Sequence, residues 1–339
     1  MATTMAEMRE FGLDPMGDLR ELGYEVRDGR LRQAGAEAGF EFKGSEDYDR
    51  VAAALVEFVG LLLEEEPKAA LRPLWLPLGV ENGEGCPIYA SRGFEAAEKL
   101  LVLVHGSGRI RAGVWACSPC INDSIDKGSM LPHIRRAAAA GWSVLVLNPN
   151  CTAVGERRIP GLETADLHLA YVWEEVITKR CPRARSVCVL AHSAGGQHVV
   201  TLLRRLAAGT DTAALERLRR IVFADSYHTS NQVLSLPKAA RSLLGNSSRA
   251  MNFVTHSDAL GTSVDSWQSD EYAMTREQKG CFCVSSGTTD HVGVPFAIVD
   301  AAMDFLLSEF EELPPPHARG SSGGRRLWGQ SFQVLSRAS

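Results

Sequence analysis

The chain has no hydrophobic run long enough to cross a bilayer. The longest, VAAALVEFVGLLL at 51–63, is interrupted by Glu57 and falls short of the ~20 apolar residues a spanning helix needs. Neither sign of charge dominates: 36 Lys and Arg against 41 Asp and Glu leave a formal net charge of -5. Nothing general therefore draws the chain to nucleic acid or to an anionic membrane. The opening stretch MATTMAEMREFGLD carries acids among its apolar residues and lacks the basic end and hydrophobic block of a secretory leader. The final SRAS carries no endoplasmic-reticulum retention signal. There is no P-loop and no dinucleotide fingerprint, so no cofactor is read from motifs.

Regular cysteine spacing is missing too. Eight cysteines among 339 residues form no disulfide framework and suit reduced thiols in the cytosol or nucleus. CSPC at 117–120 has CxxC spacing, but a structural zinc site needs a second ligand pair and none stands at a suitable distance. No metal site is read: Cys281 and Cys283 alternate along a strand and look packed, and a redox pair at 117 and 120 is the alternative. What remains, at 45% hydrophobic and 23% charged residues, is the composition of an ordinary soluble globular protein.

The hydrophobic rhythm supplies the fold class. LGYEVRDGRLR (22–32) reads as a hairpin turning on Asp28-Gly29, and helical spacing of Val51, Leu55, Phe58, Leu61 and Leu62 predicts a helix over about 47–65. LWLPLGV and PIYAS are short strand candidates. KLLVLVHGSG (99–108), WSVLVLNPN (142–150), SVCVLAHS (186–193), IVFADS (221–226), MNFVTHS (251–257) and CFCVSSG (281–287) follow, several of them continuous apolar runs suited to buried parallel strands. Helix-like segments at 130–140, 163–180, 195–207, 212–220 and 295–311 lie between and after them, the last opening on Pro295. Strand and helix alternate, which predicts a three-layer α/β/α fold around a mostly parallel sheet. The expected division is a flexible N-terminus (1–17), one domain (18–312) and a Pro-, Gly- and Ser-rich disordered tail (313–339).

Within VLAHSAGGQH (189–198), Ala191-His192-Ser193-Ala194-Gly195 approximates the G-x-S-x-G nucleophile elbow, with alanine in place of the first glycine. Small residues are needed there because strand and helix backbones nearly touch. The bland alternative is a serine that only caps a helix. HGSG (105–108) ends an earlier strand, where hydrolases of this type place a backbone oxyanion donor; Ser107 or Gly108 can supply it beside the N–H of Ala194. The base must follow the serine; with His198 beside the elbow and His317 in the tail set aside, His228, His256 and His291 remain. His291, after the last strand and before the final helix, is favoured. For the acid, Asp225 at the end of IVFAD and Asp258 after the next strand both stand open, while Asp290 is too close to His291 in sequence.

LVLVHGSGRIRAGVWA, GWSVLVLNPN, VLAHSAGG, ADSYH and SSGTTDH, in that order, resemble the Argonaute-binding (Arb-type) domain family. HGSG followed by Arg111-Ala112-Gly113 and Trp115 is the most specific part, and the resemblance covers roughly 18–311. The family includes animal co-transcriptional regulators and a C-terminal domain of some fungal histone deacetylases. It implies a hydrolase-like fold, serine and histidine at Ser193 and His291, nuclear or cytoplasmic location, and Argonaute or deacetylase partners in small-RNA-directed silencing. It implies no substrate. The stretch after LNPN (151–162) is short where animal members carry a long charged loop. Two functional classes stand: a hydrolase-like interaction protein, narrowly favoured, and a serine hydrolase on a small ester or thioester.

Overall fold

The computed structural model describes residues 15–209, 212–264, 266–269, 272–275 and 280–308. The chain divides into Met1–Leu307 and Ser308–Ser339; the tail expected over 313–339 lies outside the described residues. So does the N-terminal stretch, apart from residues 15–17, which open the first helix, α1 (Pro15–Glu21).

The hairpin β1 (Tyr24–Arg27) and β2 (Arg30–Gln33) turns on Asp28 and Gly29 at φ 51° and 69°, the double left-handed geometry that a two-residue turn of this hand requires. Helix α2 (Ser45–Glu65) follows, then strands β3 (Leu71–Leu76), β4 (Cys86–Ser91) and β5 (Lys99–Val104). Short helices α3 (Cys117–Asn122) and α4 (Ile125–Gly128) lead to α5 (Leu131–Ala139) and β6 (Ser143–Val146). A small ribbon, β7 (Ala153–Val154) with β8 (Arg157–Arg158), precedes α6 (Ala165–Tyr171), which continues as a wider π-helical stretch through Thr178. Next come β9 (Ser186–His192), α7 (Ala194–Ala208), α8 (Thr212–Arg217) and β10 (Leu218–Ala224). The chain closes with α9 (Ser230–Leu234), α10 (Lys238–Leu244), β11 (Ala250–Val254), the ribbon β12 (Ser266–Ser269) and β13 (Tyr272–Thr275), β14 (Phe282–Ser285), α11 (Val294–Ala297) and α12 (Val299–Leu307).

Eight strands form the central sheet in the order β14-β11-β10-β9-β5-β6-β4-β3. From β14 to β6 every pairing is parallel; β4 runs against both β6 and β3. Side chains of a strand alternate between faces, and the apolar runs obey this. Leu101 and Leu103 of β5 face the core built by α2, α5 and α12, whereas Leu100, Val102 and Val104 face the one built by α6, α7 and α10. This is the three-layer α/β/α arrangement.

Two sequence expectations need correction. The helix expected at 212–220 stops at Arg217, and Leu218–Arg220 open β10. There Leu218 is taken into pairing with Val187, and the buried guanidinium of Arg220 donates to the carbonyl of Phe305. The helix expected at 295–311 is broken: a 3-10 turn at His291–Gly293 leads into α11, and α12 starts afresh after Ile298. A continuous apolar stripe concealed that break.

Candidate active site

Strand register assembles the site. Ala224 of β10 stands opposite His192 of β9, and Val104 of β5 opposite Ala191. The residues just beyond these strand ends, Asp225, Ser193 and the loop from His105, therefore emerge side by side at the carboxyl edge of the sheet. This is the edge where open α/β sheets hold their ligands.

Ser193 bridges β9 and α7 at φ 55° and ψ -127°, a backbone state that costs a non-glycine residue about 1–3 kcal/mol. Three hydrogen bonds hold it there. Its N–H donates to the Ala224 carbonyl at 3.1 Å, and its carbonyl accepts from the N–H groups of Gly196 and Tyr227, each at 3.1 Å. The glycines that follow are demanded by space. A Cβ on Gly195 would lie 2.6 Å from the His105 carbonyl oxygen, and one on Gly196 would lie 1.9 Å from Ser226 Oγ. Ala191, in place of the expected first glycine, is fully buried.

His291 Nδ1 lies 2.6 Å from Asp225 Oδ2, while Asp225 Oδ1 accepts the Thr255 N–H at 3.2 Å. Asp225 is only 2% exposed. A carboxylate only accepts, so Nδ1 carries the imidazole proton and Nε2 is left as the acceptor. The ring is held between two others: Tyr227 stacks on it at 4.8 Å and 14°, and His192 packs against it at 4.7 Å and 31°. Burial, then the Asp225 carboxylate, pushes the Tyr227 phenol up, and a hydrogen bond with Ser193 works the other way.

The other candidates are engaged elsewhere. Asp258 turns to His256, whose Nδ1 accepts the Asp258 N–H at 3.1 Å. His228 is buried and bonds Ser226 Oγ at 2.7 Å, bracing the residue that abuts Gly196. The Asp290 N–H closes its own turn on Thr288 Oγ1.

Ser193 and His291 line one cavity of about 380 Å³ together with Tyr48, Ser107, Trp115 and Cys117. Ala194 is the first residue of α7, and an amide there has no acceptor within the helix. Ser107 lines the cavity; Gly108, at φ 111°, makes the turn beside it. An ion pair between Arg109 and Asp49 stands at the rim. Beneath the site, burial pushes His192 down to about 3 and His105 and His133 down to about 4, so all three are neutral near pH 7. Burial also pushes the Cys117 thiol up to about 11, which keeps this cavity-lining sulfur protonated and a poor nucleophile. Among the described residues no His, Cys, Asp and Glu cluster is placed to hold a metal ion, and no helix is long and apolar enough to cross a membrane.

Two participants escaped the sequence reading. Tyr227 sits inside the ADSYH motif between Asp225 and His228, and the motif itself was the available signal. Asn150 ends LNPN and reaches the loop after β5; nothing in its own residue type marks that contact.

A strained serine at a strand-to-helix turn, beside a His–Asp pair on the carboxyl edge of a mostly parallel sheet, defines an α/β-hydrolase-like protein. The Arb2 domain family model matches residues 16–156, and the chain resembles the proteins of that family. It is 29% identical to a cotranscriptional regulator ARB2A homolog of Dictyostelium discoideum over 332 residues, covering 87% of this chain and 80% of that protein. A FAM172 family protein homolog of Caenorhabditis elegans is 34% identical over 213 residues, covering 62% of this chain and 66% of that protein. Among solved structures, a histone deacetylase from Saccharomyces cerevisiae superposes with a TM-score of 0.50 at 15% identity, covering 79% of this chain and 99% of that one. The last likeness is one of fold.

Proposed function

We propose that the chain is a serine hydrolase acting on a small ester or thioester, within a family of cotranscriptional regulators. The observation that carries the reading is the 2.6 Å contact between His291 Nδ1 and Asp225, with Ser193 held in the strained elbow on the same cavity. A serine used only as a helix cap would need neither the strain nor the oriented base.

Ser193 Oγ attacks the acyl carbon, and its proton passes to His291 Nε2. Asp225 keeps Nδ1 protonated and steadies the imidazolium that forms. The oxyanion is held by the N–H groups of Ala194 and of the 107–108 loop, each well-aimed donor worth about 3 kcal/mol in the transition state. Collapse expels the alcohol or thiol, which takes the proton from His291. Water then cleaves the acyl-enzyme by the same relay and releases the acid.

A fluorophosphonate probe tests this directly, because Ser193 Oγ would form a P–O bond as fluoride leaves. The expected outcome is labelling of the folded wild-type chain and none of Ser193→Ala. A folded wild type that stays unlabelled would overturn the reading.

A second reading is an interaction protein of nuclear silencing or co-transcriptional complexes, with Argonaute or a histone deacetylase as partner. It draws support from the relatives' description as cotranscriptional regulators and from the family match, which ends at residue 156, before Ser193. Coprecipitation of an Argonaute or deacetylase from nuclear extract, retained in Ser193→Ala, is the result that would favour it. No recovery of either would count against it.

A further inference from the structure

We propose that Asn150 is a positioning residue: it fixes the peptide orientations of the 106–110 loop and so makes the N–H of Ser107 the second oxyanion donor. The inference rests on the serine-hydrolase reading of Ser193.

It begins with a turn. The Cys151 N–H donates to the Asn148 carbonyl at 3.0 Å, with Pro149 at the second position, where its fixed φ favours such a turn. The Asn148 side chain pins the turn to β4 by donating to the Pro87 carbonyl at 3.0 Å. Asn150 is thereby held over the loop that leaves β5. The two N–H groups of its Nδ2 are shared among the carbonyls of Gly106 at 3.1 Å, Gly108 at 3.0 Å and Ile110 at 3.3 Å. The orientation of the amide follows from its neighbours, since turning it over would set its oxygen against three carbonyl oxygens. His105 Nδ1 also lies 2.8 Å from the Gly106 carbonyl, so that peptide is held from two sides.

Three alternate carbonyls are drawn to one side of the loop. In a planar trans peptide the N–H points opposite to the C=O. The N–H groups of Ser107, Arg109 and Arg111 are therefore turned away from Asn150, and that of Gly108 belongs to a peptide Asn150 does not engage. The loop also meets the nucleophile at Gly106. A Cβ built there would fall 2.9 Å from Ser193 Cβ and 3.3 Å from Oγ, so no other side chain fits. Of the three amides turned away from Asn150, that of Ser107 follows Gly106 directly and its residue lines the cavity. Between the two donors left open by the sequence, the geometry selects Ser107 over Gly108.

Asn150→Asp keeps the shape and removes the donors; Asn150→Ala serves if the first variant fails to unfold cooperatively. Two readouts are taken: kinact and KI for the fluorophosphonate probe, and amide hydrogen exchange across 105–111. Expected are faster exchange in that segment, a kinact lower by about tenfold or more, and KI within about threefold of wild type. Faster exchange with unchanged kinact would mean that Asn150 is merely structural, and unchanged exchange would mean that it does not hold the loop; either overturns the proposal alone. A folded wild type that is never labelled overturns the hydrolase reading, and the donor role of Ser107 falls with it.

Discussion

Asp225 takes the Thr255 N–H on one oxygen and meets His291 Nδ1 with the other. In the proposed relay Asp225 orients the imidazole and balances its charge. Asp225→Asn should preserve the fold yet present the wrong tautomer, lowering the probe-labelling rate by about two to four orders of magnitude. Labelling within a few-fold of wild type would remove Asp225 from the relay. Ser193 and His291 were legible in sequence because each carries a local mark: glycines after a buried strand for one, a place between the last strand and the final helix for the other. The choice between Asp225 and Asp258 was not legible, because it depends on which strand end faces His291. Tyr227 was hidden for a related reason, since a tyrosine 48% exposed to solvent looks like surface until the stacked histidine is seen.

At the scale of elements, the decisive contact is the approach of α7 to the end of β10. Gly196 packs directly against the side chains of Ser226 and Phe223, and a methyl group there would overlap Ser226 Oγ, itself held by His228. Gly196→Ala is expected to cost about 3 kcal/mol or more, read as a lower urea midpoint at unchanged slope. A midpoint equal to wild type would show that the elbow has slack. The strands were legible because a buried parallel strand is a continuous apolar run with few other interpretations. Helix limits were less so. The boundary between α8 and β10 falls just before LRRIVFA, where pairing with β9 and the Arg220 contact to Phe305 decide the state, and both partners are remote in sequence. The break between α11 and α12 likewise leaves the apolar pattern unchanged.

For the molecule as a whole, the interior is unusually dependent on neutral histidine. Burial holds His105 and His133 near 4 and His168 and His192 near 3, all below the ~6.5 of an unfolded chain. Between those limits the unfolded state binds more protons than the folded one. The stabilisation is complete above about pH 6.5 and is lost as the pH falls toward 4, at up to about 1.4 kcal/mol per pH unit for each histidine. Urea midpoints at pH 7.5 and 5.0 should therefore differ by the equivalent of several kcal/mol. Equal midpoints would mean that these rings are already charged or gain protons without unfolding. The family match and the proposed relay also occupy different parts of the chain. The matched stretch 16–156 contains the 105–110 loop and Asn150, whereas Ser193, Asp225 and His291 all come later.

The indole of Trp115 is almost wholly enclosed, donates Nε1–H to His133 Nδ1 at 3.3 Å, and meets His192 edge-on at 6.2 Å, one ring away from His291. A cationic imidazole quenches a neighbouring indole, so the chain contains its own optical reporter. Emission from this tryptophan would dim as either buried ring gains a proton, allowing the acid transition to be followed in real time without an added dye.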